Sequence, residues 1–394
     1  FGPSTDFNNP STPLEIDGVL YVNVGSTRNV AALDATTGQV LWLWRPQEGS
    51  RYDEAPRKGA GRGVAYYSKE GKTRVIDVTP GYQLVSLDAK TGLLDPTFGD
   101  NGVVDLFVGL RNADDPRFVH PDIGLSAPPF VMNDVIVVGA AHRTGGRPRA
   151  KSNVKGDIRG FDVHTGELLW TFHTIPERGE VGYETWLDEG IEFTGNSGVW
   201  APISGDPELG LIYLPVEDPT GDYYGGDRPG ANLFSSSLVA VDVKTGERRW
   251  HFQQIHHDIW DWDVPAAPVL ANLPNGRKIV MSVTKQAFVY TYDRLTGEPI
   301  WPIVERPVPA GDVPGEWYSP TQPFPTRPAP FDRQTVTEDD LLDWTPELRA
   351  LAIEATQGFR LSTELYTPPS LTDATDGTRG LLSLPSSTGG ANWE

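Results

Sequence analysis

Ala32-Leu33-Asp34-Ala35-Thr36-Thr37-Gly38-Gln39-Val40-Leu41-Trp42 recurs three times in this chain. It returns as Gly160-Phe161-Asp162-Val163-His164-Thr165-Gly166-Glu167-Leu168-Leu169-Trp170, then as Ala240-Val241-Asp242-Val243-Lys244-Thr245-Gly246-Glu247-Arg248-Arg249-Trp250. The last complete copy is Thr291-Tyr292-Asp293-Arg294-Leu295-Thr296-Gly297-Glu298-Pro299-Ile300-Trp301. A degenerate copy, Ser86-Leu87-Asp88-Ala89-Lys90-Thr91-Gly92, has Pro96 where the Trp would fall. The shared pattern is small-x-Asp-x-x-Thr-Gly-x-x-x-Trp. The Asp can accept amide hydrogen bonds in a turn, and the Gly can take the positive φ that a hairpin needs. The Trp falls on the next strand, where its flat ring can stack on a neighbouring unit.

Apolar runs accompany the copies: Val19–Val24, Val135–Val138, Leu211–Leu214 and Lys278–Val283. They read as strands. Strand, turn and strand, repeated with one Trp per unit, predict an all-β fold of β-propeller type. The Asp-to-Asp spacings of 54, 74, 80 and 51 exceed a minimal four-stranded blade. Long loops are therefore inserted, and such loops commonly carry function.

Composition narrows the function. Among 394 residues there are 33 Lys+Arg against 53 Asp+Glu, a formal net charge of −20. Nucleic acid and anionic membrane surfaces are poor partners for such a chain. The absence of Cys removes disulfides, thiolate metal sites and the Cys-x-x-Cys-His haem attachment. With 42 Gly, 35 Pro and 12 Trp, the chain is turn-dense but apolar enough to fold. No apolar run is long enough to span a membrane. Phe1-Gly2-Pro3-Ser4 carries neither an initiator Met nor a signal-peptide pattern, and the chain stops at Asn392-Trp393-Glu394, so both ends are expected to be cut. Residues 303–334 are Pro-rich and should be extended surface chain. A helix capped by Thr337 is predicted to follow, with Leu341, Leu342, Trp344, Leu348, Leu351, Ala352 and Ile353 as its apolar stripe, ending near Gly358. Residues 303–360 thus form an insertion within a single partial propeller domain spanning 1–394.

Four features exceed what turns and packing require. His256-His257-Asp258-Ile259-Trp260-Asp261-Trp262-Asp263 gathers three carboxylates, two His and two Trp. Apolar neighbours raise a carboxylate's pKa and a nearby cation lowers it, and either tuning suits a general base. Lys285 interrupts the apolar run Val283–Tyr290 and needs a partner if it points inward. Arg62 lies in the Gly-rich stretch Gly59-Ala60-Gly61-Arg62-Gly63, where a backbone could approach a ligand and a guanidinium grip a carboxylate. Trp200 follows the Gly-rich Thr194–Gly198 and could floor a flat ligand, while Glu217, Asp218 and Thr220 are hard oxygen donors suited to Ca²⁺ or Mg²⁺.

Together these features resemble the quinoprotein dehydrogenases that use pyrroloquinoline quinone (PQQ). Similarity is strongest to the membrane-type glucose dehydrogenase branch, through Arg62–Tyr67, Phe98–Gly102, Gly156–Asp162, His256–Asp261 and Pro320–Phe324. The resemblance implies an eight-bladed propeller, of which this chain would hold about six blades, with PQQ beside a divalent cation, Ca²⁺ or Mg²⁺. It implies Asp261 as catalytic base, Lys285 beside the quinone's reactive carbonyl, and Arg62, Trp200 and Asn392 as further cofactor contacts. Asp218 or Thr220, with Asp261, would serve the metal. The implied chemistry is loss of a hydroxyl proton to Asp261 with hydride transfer to the quinone C5. The implied substrate is a sugar or polyol, the acceptor a membrane quinone or cytochrome, and the location the periplasm, with any membrane or cytochrome region lying beyond these residues. One departure stands out. A second metal-ligand region expected after Val137-Val138-Gly139 reads Ala140-Ala141-His142-Arg143-Thr144, where His142 or Thr144 could substitute but Arg143 would oppose a cation. Two alternatives remain: a non-catalytic propeller scaffold of the outer-membrane assembly type, and an inactive family member.

Overall fold

The computed structural model describes residues 10–117, 119–143 and 150–391. Five antiparallel sheets follow one another along the chain, and in each the strands neighbour one another in chain order. The first holds β1 (Leu14–Ile16), β2 (Val19–Val24), β3 (Asn29–Asp34) and β4 (Val40–Trp44). The second holds β5 (Ala65–Lys69), β6 (Lys72–Val78), β7 (Gln83–Asp88) and β8 (Val103–Asp105). β9 (Phe130–Met132), β10 (Val135–Val138), β11 (Ile158–Asp162) and β12 (Leu168–Phe172) make the third. The fourth comprises β13 (Ser204–Asp206), β14 (Leu211–Val216), β15 (Ser237–Asp242) and β16 (Arg248–Gln253). The fifth has three strands, β17 (Val269–Asn272), β18 (Lys278–Val283) and β19 (Val289–Asp293). All four apolar runs read from the sequence are strands of these sheets.

The chain divides into two compact units. The first comprises residues 1–174, 195–212 and 241–249; the second comprises 175–194, 213–240 and 250–394. In the first, Ile76, Leu84, Phe98, Ile136 and Val138 are fully enclosed in one apolar cluster, and Val30, Val75 and Leu87 in another. In the second, Leu214, Val239, Val280, Tyr290 and Tyr292 are fully enclosed.

The repeat works as its residues suggest, with one addition. Asp34 Oδ1 accepts the amides of Thr36 and Thr37 at 3.0 and 2.7 Å, and Asp88, Asp162, Asp242 and Asp293 hold their turns in the same way. Gly38, Gly166, Gly246 and Gly297 sit at φ between 69° and 74°, a region closed to most L side chains. The addition is a second duty for the Gly. Trp42, Trp170 and Trp250 donate their indole N–H to the carbonyls of Ala89, Val243 and Arg294, at 3.0, 2.9 and 3.2 Å. Each acceptor directly follows the Asp of a later copy. A Cβ on Gly92, Gly246 or Gly297 would come within 2.5, 2.6 and 2.6 Å of the same ring. The Gly is therefore also the seat on which an indole lies, and each pairing is internal to one unit. In the copy that has Pro96, no indole is available, and Val104 and Phe98 close on Gly166 instead.

The Pro-rich run is extended, and it is also paired: β20 (Ile303–Pro307) and β21 (Thr321–Pro325) form a two-stranded antiparallel ladder. The predicted helix is shorter than the pattern suggested. Thr337 caps only a single 3₁₀ turn, Glu338–Asp340, and the α-helix runs from Pro346 to Thr356 with Thr345 as its cap. The reason is Pro346, which disfavours helical backbone at the residue before it. The expected stripe is not a buried face: Trp344 is 82 % exposed, and no residue of the helix is buried. A short parallel pair, β22 (Arg360–Leu361) and β23 (Leu381–Leu382), follows.

Candidate active site

After β16 the chain leaves the sheet and crosses the second unit as an irregular segment that contains His256–Asp263. Asp258, wholly buried, shapes it. Its Oδ1 accepts the Trp260 amide at 2.9 Å, and its Oδ2 accepts the Trp262 amide and the Ser236 hydroxyl at 3.0 and 3.2 Å. The bond network bends the chain so that Trp260 and Trp262 stack at 5.5 Å, both edge-on to Tyr366. Asp261, between the two indoles in the chain, adopts φ 57°.

Lys285 meets Asp261 there. It is not on a strand, as its apolar flanks suggested, but in the tight turn between β18 and β19, where the Ala287 amide bonds Thr284 O at 3.1 Å. Its ammonium donates to Asp261 Oδ1 at 2.9 Å, to the Asp261 carbonyl at 2.8 Å, and pairs closely with Asp263. Burial alone would lower its pKa, but the charges of Asp263 and Asp261 outweigh that and hold it firmly protonated. Burial pushes Asp261 up to about 7, reinforced by Asp263 and opposed by Lys285. Burial likewise raises Asp258 to about 6. The other oxygen of Asp261, Oδ2, accepts the Tyr223 phenol at 3.1 Å.

Beside this pair stands a group of carboxylates. Glu217 and Asp218, at the end of β14 and just beyond it, meet Asp263 so that one oxygen from each lies within 4.8 Å of the others, and all three residues are buried. Burial, and then the charges of Asp222, Asp258, Asp261 and Asp263, raise Asp218 well above the usual carboxylate range. The neighbouring Thr220 Oγ is buried and makes no hydrogen bond among the described residues. Three enclosed carboxylates and a hydroxyl are hard oxygen donors in excess of the positive charge beside them. This donor set fits a divalent cation. Of the residues singled out for metal, Glu217 and Asp218 lie in the group and Thr220 beside it, whereas Asp261 is engaged by Lys285 and Tyr223. Asp263 completes it.

Three residues of this neighbourhood gave no sequence signal. Glu316, within the Pro-rich run, is a buried carboxylate. It accepts the Gly225 amide at 2.6 Å and meets His257 Nε2 at 2.8 Å, while His257 Nδ1 faces Gly230 O at 2.8 Å. Arg228, also buried, donates to Gly221 O, Asp258 O and Asn232 Oδ1 at 2.9, 2.5 and 2.8 Å. These contacts tie the 217–230 loop to the Asp258 turn. Tyr223 is the third. Nothing in a linear reading separates such residues from ordinary loop polarity, because their partners are remote in the chain.

In the first unit, Arg62 and Trp200 come together. The guanidinium donates to the Trp200 carbonyl at 3.1 Å and lies 4.8 Å from the centre of the indole ring. A guanidinium beside an indole suits a flat aromatic polyacid, the first through a carboxylate and the second by stacking. His142 Nδ1 contacts Asn196 Oδ1 at 2.7 Å, and burial lowers its pKa to about 4, so it is neutral. Arg143 is paired with Asp122 at 3.1 Å, which offsets the charge that made this stretch look hostile to a cation. Thr144 and Asn392 lie outside the described residues.

Similarity to known proteins extends along the whole chain. The family model for the PQQ glucose/ethanol/alcohol dehydrogenase β-propeller domain matches residues 2–394. The chain is 32% identical over 396 residues to the glycerol dehydrogenase large subunit of Gluconobacter oxydans, covering 97% of this chain and 50% of that one. It is 33% identical over 335 residues to the quinoprotein glucose dehydrogenase of Escherichia coli, covering 81% and 40%. Among solved structures, a quinohemoprotein alcohol dehydrogenase from Pseudomonas putida superposes with a TM-score of 0.64 at 27% identity, over 98% of this chain and 48% of that one. The chain thus spans about half the length of the curated relatives it matches. No helix among the described residues is long and apolar enough to cross a membrane. With a match over essentially its whole length, the chain belongs to the PQQ-dependent glucose/ethanol/alcohol dehydrogenase β-propeller family.

Proposed function

We propose that the complete protein is a PQQ-dependent dehydrogenase that oxidises an alcohol group of a sugar or polyol. The observation that carries this reading is the buried Asp261–Lys285–Asp263 array beside a carboxylate group with the donor set of a divalent cation. Family membership supports it, as do relatives named for glycerol, glucose and quinate/shikimate oxidation.

When bound, the quinone would supply a two-electron acceptor and the cation, Ca²⁺ or Mg²⁺, an electrophile. Arg62 and Trp200 would bind the cofactor, with Asn392 as a further contact. Glu217, Asp218 and Asp263 would hold the cation, with Thr220 as a further oxygen beside them, while both oxygens of Asp261 are engaged by Lys285 and Tyr223. Asp261 receives the substrate's hydroxyl proton. Without a cation beside it, burial raises its carboxyl to about 7, and the charge of a bound divalent ion would bring it down again toward the carboxylate, the form that accepts a proton. Lys285 fixes that carboxylate through Oδ1 and the backbone carbonyl, so an incoming hydroxyl would take the place of the Tyr223 phenol at Oδ2. The acceptor this reading calls for is a membrane quinone or a cytochrome, and the location the periplasm.

The test is reconstitution of the full-length protein with PQQ and Ca²⁺ or Mg²⁺, an artificial electron acceptor, and a panel of aldoses, polyols and simple alcohols. Asp261→Asn should lose turnover while retaining PQQ. Retained turnover in that variant removes Asp261 as the base, and a wild type that turns over none of the panel overturns the enzyme reading.

A further inference from the structure

The hydrogen bonds around His257 and Glu316 fix how many protons the pair holds. His257 Nδ1 lies 2.8 Å from Gly230 O and 3.1 Å from Asn232 Oδ1. A carbonyl only accepts, so Nδ1 carries a hydrogen. Nε2 lies 2.8 Å from Glu316 Oε1. That oxygen also accepts the Trp317 amide at 2.9 Å, and Oε2 accepts the Gly225 amide at 2.6 Å. A neutral imidazole with its hydrogen on Nδ1 presents a lone pair at Nε2, and a carboxylate presents another at Oε1. At 2.8 Å the two repel. One further proton, on either atom, turns the repulsion into a hydrogen bond. The side chains are 1% and 2% exposed, so water does not stand in for that proton.

The proton bears on the loop that leaves β14. Gly225 passes directly over the pair, where a Cβ would come within 2.5 Å of His257 Nε2. Glu316 grips the loop by the Gly225 amide and His257 grips it by the Gly230 carbonyl. Arg228, between these points, reaches back to Gly221 O at 2.9 Å. Asp218 and Thr220 come just before, at the carboxylate group. Without the proton, repulsion between Nε2 and Oε1 loosens the hold on Gly225. Arg228 is the other charge facing His257, and with Tyr224 and Tyr318 it also faces Glu316. Burial raises both phenols above their ordinary value, so neither titrates below pH 9. Burial brings His257 below its ordinary range, with help from Arg228 and against the pull of Glu316, so the proton is exchangeable at ordinary pH.

We propose that His257 and Glu316 are positioning residues that share one proton, and that this proton latches the 217–230 loop so that Asp218 and Thr220 stay with the carboxylate group. The proposal rests on the reading of that group as a divalent-cation site.

The experiment uses the full-length apoprotein as wild type, Glu316→Gln and His257→Asn, at pH 6 and pH 9. Glu316→Gln offers Nε2 a permanent N–H and keeps an oxygen for the Gly225 amide, at the cost of the Trp317 amide contact. His257→Asn keeps a donor for Gly230 O and removes Nε2. Amide hydrogen exchange over residues 221–230, corrected for the intrinsic rate at each pH, reads the latch. The wild type should lose protection about tenfold or more between pH 6 and pH 9. Glu316→Gln should keep its protection, and His257→Asn should lack it at both pH values. Wild-type protection that does not fall, or that falls equally in Glu316→Gln, overturns the shared proton. If Glu316→Gln does not fold, His257→Asn protected like the wild type at pH 6 overturns it alone. Calorimetric titration with Ca²⁺ reads the positioning. The affinity of Glu316→Gln relative to wild type should rise about fivefold or more from pH 6 to pH 9. An unchanged ratio overturns the positioning role and leaves the cation reading standing. A wild type that binds no Ca²⁺ at either pH overturns the cation reading, and the positioning role with it, whatever the exchange shows.

Discussion

Replacing Lys285 by Met removes the cation between Asp261 and Asp263 while keeping much of the side chain's volume. At 2.9 Å and an effective dielectric near 20, its attraction to Asp261 alone is about 6 kcal/mol. Much of that offsets the desolvation of a side chain only 5% exposed, so the gross figure is not the net one. The variant, however, leaves Asp263 buried among Asp258, Asp261 and Asp218 with no ammonium beside it. Breaking one side of a buried pair costs about 3–5 kcal/mol, and that is the expected loss at pH 7.5. The sign of its pH dependence follows from the carboxylates. Burial already raises Asp261 and Asp258 to about 7 and 6, above their unfolded value, and removing Lys285 raises them further. The stability such groups contribute is present below their unfolded pKa and is lost as pH rises through the folded one. The deficit of the variant should therefore be largest above pH 7 and smallest near pH 4.5. Urea denaturation of the metal-free full-length protein at both pH values, with Asp263→Asn and the double variant, measures it. A coupling energy of about 2 kcal/mol or more is expected between positions 263 and 285. A deficit below about 1 kcal/mol at pH 7.5, or one that grows on acidification, would refute the electrostatic account.

Two other predictions concern carboxylates in the two units. Asp77 is buried in the first unit, bonded by Asn23 Nδ2 at 2.9 Å, and burial, opposed by Arg28, raises it to about 7. Its contribution is present below about pH 4 and is lost as pH rises through 7, on the order of 1 kcal/mol per pH unit. The stability of Asp77→Asn relative to wild type should climb across that window and then level off; a pH-independent difference would contradict the shift. In the second unit, Asp218→Asn combined with Glu217→Gln should weaken Ca²⁺ or Mg²⁺ binding to the apoprotein by at least tenfold by calorimetry. Unchanged affinity would move the metal elsewhere.

The antiparallel sheets were legible in the sequence because the repeat encodes their turns locally. Asp34 bonds amides two and three residues on, and Gly38 needs only its own φ. The indoles were legible for a related reason: the ring's seat is the Gly of another copy, so one pattern records both halves of the contact. Where a local rule and a longer pattern disagreed, the local rule prevailed. The apolar spacing from Leu341 to Ile353 suggested one long helix, and Pro346 delayed its start.

The site obeys a different logic. Its residue types were readable one by one, since three acids among two indoles, or a Lys amid apolar neighbours, are costly without a purpose. Their pairing was not. Asp218 and Asp263 are separated by most of two strands and a long loop, and Glu316 reaches His257 from a run whose composition suggests bare surface. Such partners are chosen by burial: an enclosed charge must find its complement, wherever in the chain that lies. The same requirement explains what remains around Asp218. Lys285 is engaged by Asp261 and Asp263, and Arg228 donates to Gly221 O, Asp258 O and Asn232 Oδ1. Asp218 meanwhile feels four further carboxylates, at positions 222, 258, 261 and 263. Two cations among so many enclosed acids leave an imbalance, and either protons or a metal ion must make it up. Protons are progressively lost as pH rises through neutrality, whereas a bound divalent ion is not. The charge balance of the fold thus argues for the cation independently of the reaction it would assist.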